Sequence, residues 1–142
     1  MKISKIERLR DIPKRDAVHS VYLLPFTKEG KIVITKNERG WDVIGGHLES
    51  TDETVLDGLK RESLEEASMI FNNVKALLVL QYPGASDYML FHVSNDVELK
   101  DFVIEHEDVF ARDVVSVEEF LGRYYGDKDQ MTEIIELALA SL

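Results

Sequence analysis

The chain has 142 residues, 17 basic and 27 acidic, for a formal net charge of −10, and it contains no cysteine. That length fits one domain, residues 1–142, and the 44% apolar and 31% charged residues are those of an ordinary globular protein. The charge argues against a nucleic-acid partner, and the missing cysteine excludes a disulfide scaffold, a thiolate zinc site and a cysteine nucleophile.

The first 16 residues are locally basic, with Lys2, Lys5, Arg8, Arg10, Lys14 and Arg15, and lack the apolar core of a signal peptide. The longest purely apolar run, residues 76–80, is far shorter than the ~20 residues that cross a bilayer. A cytoplasmic protein with no membrane partner is therefore expected. Residues 18–26 are apolar on both alternating faces, which predicts a buried central strand. Lys28-Glu29-Gly30 marks a turn, and residues 31–35 read as the returning strand. A short extended piece at 41–44 ends in Gly45-Gly46, where backbone must turn sharply or approach something closely. A helix is predicted over 53–68, with Ser50, Thr51 and Asp52 as cap candidates. Residues 74–82 and 88–93 read as two more strands, and 109–115 as another. A short helix at 117–125 follows. The last helix is capped by Asp127 or Asp129 and carries Met131, Ile134, Ile135, Ala138 and Leu142 on one face. Strands on either side of a central helix, with helices at the end, predict a mixed sheet covered by helices.

The stretch that carries chemistry is Arg61-Glu62-Ser63-Leu64-Glu65-Glu66. On a helix, Glu62, Glu65 and Glu66 stand at i, i+3 and i+4 and share one face, where like charges repel. Lys60 and Arg61 are near but not centred among the three. A hard divalent cation would be, and Mg²⁺ takes carboxylate oxygens together with water and substrate phosphates. Taken alone, an acid-rich helix in an acidic chain is most often a solvated face. Here a glycine pair and Glu49 precede it, and Val55, Leu56 and Leu59 interleave with its acids.

This stretch resembles the signature box of the Nudix hydrolases. Gly46 matches its opening glycine, Arg61-Glu62 and Glu65-Glu66 its R-E and E-E pairs, and Met69 its closing aliphatic. Glu53, separated from Arg61 by seven intervening residues, matches the isolated glutamate, and its helix phase with Arg61 favours it over Asp52. Six residues instead of five then separate Gly46 from Glu53, which puts one extra residue in the loop. Ser63 replaces an aliphatic. Ser68 replaces the glycine that ends the helix, and because a left-handed cap costs a non-glycine residue roughly 1–2 kcal/mol, the helix is expected to run on toward Asn72-Asn73.

The resemblance implies an α/β/α sandwich of the α+β type and hydrolysis of a nucleoside diphosphate linked to another group, X. It makes Glu62, Glu65 and Glu66 the metal-binding carboxylates, joined by the Gly45 carbonyl. Glu53 would position water or metal, and Arg61 would hold the acids by ion pairing. A further acid from a later loop would be Glu107 or Glu105. The implied cofactor is Mg²⁺, with Mn²⁺ the alternative. The implied partner is a small nucleotide, and homodimers are common in the fold. The competing reading is a Nudix-fold module that binds a nucleotide without turning it over. Outside the box, Trp41 and Tyr82 are the candidates to stack on a base. Pro83, 15 residues after Ser68, loosely resembles the spacing of the ADP-ribose-hydrolysing subgroup. Gly58 lies in the helix interior, where a missing side chain leaves room for metal or phosphate.

Overall fold

The structure, a computed structural model, describes residues 1–104 and 108–142; Glu105 and Glu107 lie outside the described residues. Its centre is β2 (Val18–Pro25), which pairs in parallel with β8 (Tyr88–Ser94) and antiparallel with β5 (Ile44–His47). With β7 (Lys75–Gln81) and β1 (Lys2–Lys5) they form a five-stranded mixed sheet in the order β1-β7-β8-β2-β5. A second, antiparallel sheet has the order β10-β3-β4, from β3 (Ile32–Asn37), β4 (Gly40–Asp42) and β10 (Val109–Val115). A third pairs β6 (Met69–Asn72) with β9 (Asp96–Leu99).

The apolar run of β2 is needed because both of its faces are covered. Val21 and Leu23 point to one side and join a core with Leu90, Val79 and the helix α1 (Val55–Ala67) through Leu59 and Ala67. Leu24 points to the other side and joins Leu78, Leu80 and Phe91. That side is closed by Phe120 of α2 (Val117–Arg123) and by Met131, Ile134, Ile135 and Ala138 of α3 (Lys128–Ser141). Alternation along each strand thus feeds two cores, one on each face of the sheet, and the fold is an α/β/α sandwich. Each fully buried Leu or Ile contributes roughly 1.5–3 kcal/mol. Among the described residues no helix is long and apolar enough to cross a membrane.

Several boundaries differ from the sequence reading. The extended piece at 41–44 is two strands in two sheets, because Asp42 ends β4 and Ile44 begins pairing with Leu23 of β2. Asp127 is the cap of α3, its carboxylate accepting from the Gln130 N–H, but Leu142 lies past the helix and is 47% exposed. The helix at 53–68 begins instead at Val55. Thr54 and Asp57 form a reciprocal capping box: the Asp57 N–H donates to Thr54 Oγ1 and the Thr54 N–H to Asp57 Oδ2, each at 3.1 Å.

The helix also stops at Ala67 rather than running to Asn72. Ser68 takes the left-handed conformation, φ 50°, ψ 49°, without being glycine. Its neighbours offset the strain. Ser68 Oγ accepts from the Val103 N–H at 3.0 Å, and its carbonyl accepts from the Lys100 N–H at 2.9 Å. Arg112 of β10 donates through Nη1 to the carbonyls of Ala67 (2.7 Å) and Lys100 (2.8 Å), so a side chain from another strand closes the helix end. Replacing Arg112 with Ala should cost about 2–3 kcal/mol, the worth of a charge-assisted bond plus the carbonyls it leaves unpaired. Ser68→Gly should change stability by less than about 1 kcal/mol, since relief of strain and loss of the hydroxyl bond oppose each other. Urea unfolding measures both, and equal effects would mean that the arginine does not close the helix.

Candidate active site

The site is built where the end of β5 meets α1. Gly45 must be glycine: a Cβ there would strike the Val21 carbonyl and the Tyr22 ring, and φ is +156°. Gly46 must be small for a different reason, since a Cβ would come within 2.8 Å of Glu62 Oε1. The glycine pair lets the carboxylates of α1 lie against the β5 backbone. Glu66 uses this directly, with Oε1 accepting from the Gly45 N–H at 2.8 Å.

Arg61 organises the other acids. Its Nη2 stands 2.8 Å from Asp52 Oδ2, and its Nε donates to Asp52 Oδ1 at 3.1 Å. Its Nη1 reaches Glu62 Oε1 at 3.0 Å, Glu65 Oε2 at 3.1 Å and Glu49 Oε1 at 3.4 Å. Nη2 also donates to the His47 carbonyl at 3.2 Å. One guanidinium thus supplies the compensating charge for Glu62 and Glu65 that the helix needs, so the expectation that Arg61 is not centred among the acids holds only for Glu66.

The structure brings Asp52, not Glu53, to this arginine. The Asp52 side chain is 6% exposed. Hydrogen bonding from Arg61, with the Glu49 N–H also donating to Oδ2 at 2.9 Å, holds its carboxyl below the usual range despite burial. Glu53 is exposed and makes no hydrogen bond or ion pair among the described residues. The physical reason lies in the helix start. The Thr54–Asp57 box sets the first turn one residue late, so the five-residue spacing from Gly46 is kept by Asp52 and the extra residue falls between Asp52 and Arg61. Gly58 serves this arrangement rather than a metal or phosphate: a Cβ there would strike Leu48 and lie 3.1 Å from Asp52 Oδ2. Arg15 fixes the loop from the far side, donating from Nε to the Asp52 carbonyl at 3.0 Å and from Nη2 to the Glu49 carbonyl at 2.8 Å.

Glu62 and Glu66 share a hydrogen bond, and burial pushes both above the ordinary carboxyl range. Arg61 opposes this at Glu62. At Glu66, burial raises the value to about 8; the Gly45 N–H works against it, and the charges of Glu62 and Asp42 add to it. Both acids line a cavity of about 570 Å³ with Gly45, Gly46, His47, Arg39 and Asp108. Arg39 and Asp108 escaped the sequence reading. Asp108 directly follows the segment of Glu105 and Glu107, so the acid-rich loop is its only signal in the sequence.

A carboxyl pair that shares a proton beside a backbone turn is an oxygen-only donor set, which suits a hard divalent cation. Among the described residues no three His, Asp or Glu converge closely enough to cage an ion unaided. Trp41 and Tyr82 do not line this cavity. Trp41 packs at the edge of the α2/α3 core with Lys36 and Arg123 over its ring, at 5.9 and 5.2 Å. Tyr82, 58% exposed, stands past the end of β7.

A family model described as the NUDIX domain matches residues 15–136. No curated protein matches the chain. Among solved structures, a MutT structure from work on Aliivibrio salmonicida and Vibrio cholerae is 16% identical, with a TM-score of 0.67, covering 87% of this chain and 98% of that one. A NUDIX hydrolase from Nitrosomonas europaea is 17% identical, with a TM-score of 0.67, covering 87% and 90%. The NUDIX domain of NrtR from Shewanella oneidensis, solved with ADP ribose, is 14% identical, with a TM-score of 0.64 and 93% of each chain covered. These likenesses share the fold described above.

Two expectations follow from the geometry. Asp52→Ala should cost about 3 kcal/mol by leaving Arg61 without its buried partner, whereas Glu53→Ala should stay within about 0.5 kcal/mol, both measured by urea unfolding. The reverse order would mean that Asp52 is not the buried partner of Arg61. In the metal-free chain, Glu66 holds its proton to about pH 8 when folded and titrates near 4.5 when unfolded. The folded state therefore binds more protons between those values, and stability falls as pH rises through that window. Thermal unfolding of Glu66→Gln should show a flatter fall; equal slopes would mean that Glu66 is not the buried acid. For the same reason, a divalent ion must displace the proton and should bind more weakly as pH falls.

Proposed function

We propose that this chain, which belongs to the Nudix hydrolase family by its match over residues 15–136, is a divalent-metal-dependent hydrolase of a diphosphate linkage in a small nucleotide. The observation that carries the proposal is the split of three helical acids. Arg61 pins Glu62 and Glu65, while Glu66 is buried against the Gly45 N–H on the wall of the same cavity. A purely structural acidic helix has no use for that arrangement, since burying unpaired carboxylates costs stability.

Glu62, Glu65, Glu66 and the Gly45 carbonyl would hold Mg²⁺ or Mn²⁺. When bound, such an ion neutralises phosphate oxygens and acidifies water. The residues of the chain do the rest. Arg61 keeps Glu62 and Glu65 in one orientation and so removes the entropy of arranging them during the reaction. Gly45 fixes Glu66. Arg39, the cation on the cavity wall, offsets the repulsion that a chain of net charge −10 exerts on a polyanion. Water attacks phosphorus, the bridging P–O bond breaks, and a carboxylate of the set takes the proton from the attacking water. Asp52 and Arg15 act through Arg61 and the loop and are positioning residues.

The NrtR domain binds ADP ribose on a similar fold, so ADP-ribose belongs on a substrate panel with nucleoside triphosphates, nucleotide sugars and dinucleoside polyphosphates. With Mg²⁺ and a coupled phosphatase, one class should release phosphate. Glu66→Gln should reduce that rate on the order of 10²–10⁴-fold, the usual worth of a positioned acid–base group. Undiminished turnover in the variant would remove Glu66 from the mechanism. Metal binding with no turnover of any class would favour the nucleotide-binding module.

A further inference from the structure

In a chain with 27 acids and 17 cations, a surface concavity that gathers cations runs against the overall charge. One such place exists. Lys2 and Lys5 of β1, with Arg10 and Lys14 of the segment that leads to β2, line a cavity of about 580 Å³. Among the described residues none of these four side chains forms an ion pair or donates a hydrogen bond. Asp11 is the one acid on the wall among the described residues, and it is committed elsewhere. Its Oδ2 accepts from the Glu7 N–H at 3.2 Å and the Arg8 N–H at 3.1 Å, and it stands 3.7 Å from Arg8 Nε. It feels the charge of Arg10 without pairing to it. The wall therefore sets four positive charges against one negative.

The fold fixes this gathering. In the β1–β7 pair Lys2 stands opposite Gln81 and Ser4 opposite Val79, and opposed residues share a face. Val79 belongs to the core beneath α1, so the cavity opens on that side of the sheet. Ile6 and Ile12, also on its wall, pack against the same core and tie down the segment that carries Arg10. The cations are thus brought together before any ligand arrives, and their mutual repulsion is a cost that an anion would relieve. The acid cavity lies at the other end of the sheet. It is built on β5, and β1 and β5 are the two outer strands, so four strand spacings, roughly 19 Å, separate them.

We propose that this cavity is a second ligand site, which binds an oligophosphate. Its volume is that of a small-molecule site. A single negative charge would answer one cation and leave the others repelling. A chain of phosphates presents charge at successive positions. Lysine ammonium groups meet phosphate oxygens as compact point charges, and Arg10 adds a planar fork of donors. A free oligophosphate and the tail of a nucleotide share this chemistry. They differ in one respect, because Tyr88 on the same wall offers flat apolar surface that only a nucleotide would use. The inference stands apart from the hydrolytic reading, since it concerns the opposite edge of the sheet.

The test is calorimetric titration of inorganic triphosphate into the full chain with EDTA present, which keeps divalent ions out of the acid cavity. One saturable site is expected, weakening as salt is raised. Lys5→Gln combined with Arg10→Gln should weaken binding by about tenfold or more, the worth of two partly exposed charged contacts. Lys31→Gln combined with Lys60→Gln removes the same charge from elsewhere on the surface and should change the affinity by less than about threefold. Arg39→Gln, which takes the cation from the acid cavity, should leave it unchanged. All four cavity cations are exposed, so the variants should keep the wild-type thermal midpoint. If the first pair does not, Lys2→Gln with Lys14→Gln carries the same expectation. Orthophosphate should bind more weakly by about tenfold or more. No saturable binding to the wild type, an equal loss in the two double variants, a loss in Arg39→Gln, or equal affinity for orthophosphate would overturn the proposal. A nucleoside triphosphate that binds no tighter than inorganic triphosphate assigns the site to the free oligophosphate, and one that binds about tenfold tighter assigns it to a nucleotide.

Discussion

The contact on which the site depends is the pairing of Arg61 with Asp52. A helix that carries Glu62, Glu65 and Glu66 on one face repels itself, and the repulsion grows as the helix is pressed against a sheet and water leaves. Arg61 answers for two of the three, but a guanidinium on a long side chain reaches many places. Asp52 fixes where it goes, by gripping Nε and Nη2 together from a buried position. Removing either partner leaves a charge in poor solvent, which is why a pair of this kind is worth more as a constraint than as a source of stability.

The third acid is handled differently. Glu66 has a backbone N–H, a neighbouring carboxyl and little water, and the result is a proton retained far above the usual range. The two halves of the acid face are therefore held differently: Glu62 and Glu65 by a guanidinium, Glu66 by a backbone N–H in a buried setting.

Much of this was legible in the residues. The i, i+3, i+4 spacing of the acids, the glycine pair ahead of them and the two-faced apolar run of β2 are local patterns with physical causes, and the sandwich follows from them. What failed to show was set by contacts distant in sequence. Counting helix phase back from Arg61 points to Glu53, but the phase is reset by the Thr54–Asp57 cap and by Leu48 filling the space above Gly58. Ser68 reads as a poor helix stop until Arg112, 44 residues on, is seen to close the end. The strands β1, β6 and β9 are four residues each and polar or mixed, so periodicity has too little length to register them. Trp41 is the middle residue of β4, and its ring already carries two cations from β3 and α2, a fact no spacing records.

Arg15 holds the loop before α1 by two carbonyl oxygens, at Glu49 and Asp52, and by no side chain in it. A grip on the main chain is indifferent to the letters it holds. Ser50, Thr51 and Glu53 are then free to drift over generations without loosening the clamp, whereas a change in the number of residues moves the carbonyls out of reach. The loop should accordingly diversify by substitution and resist insertion, and its one irregular residue sits beyond the gripped positions, in the short gap before the helix takes over.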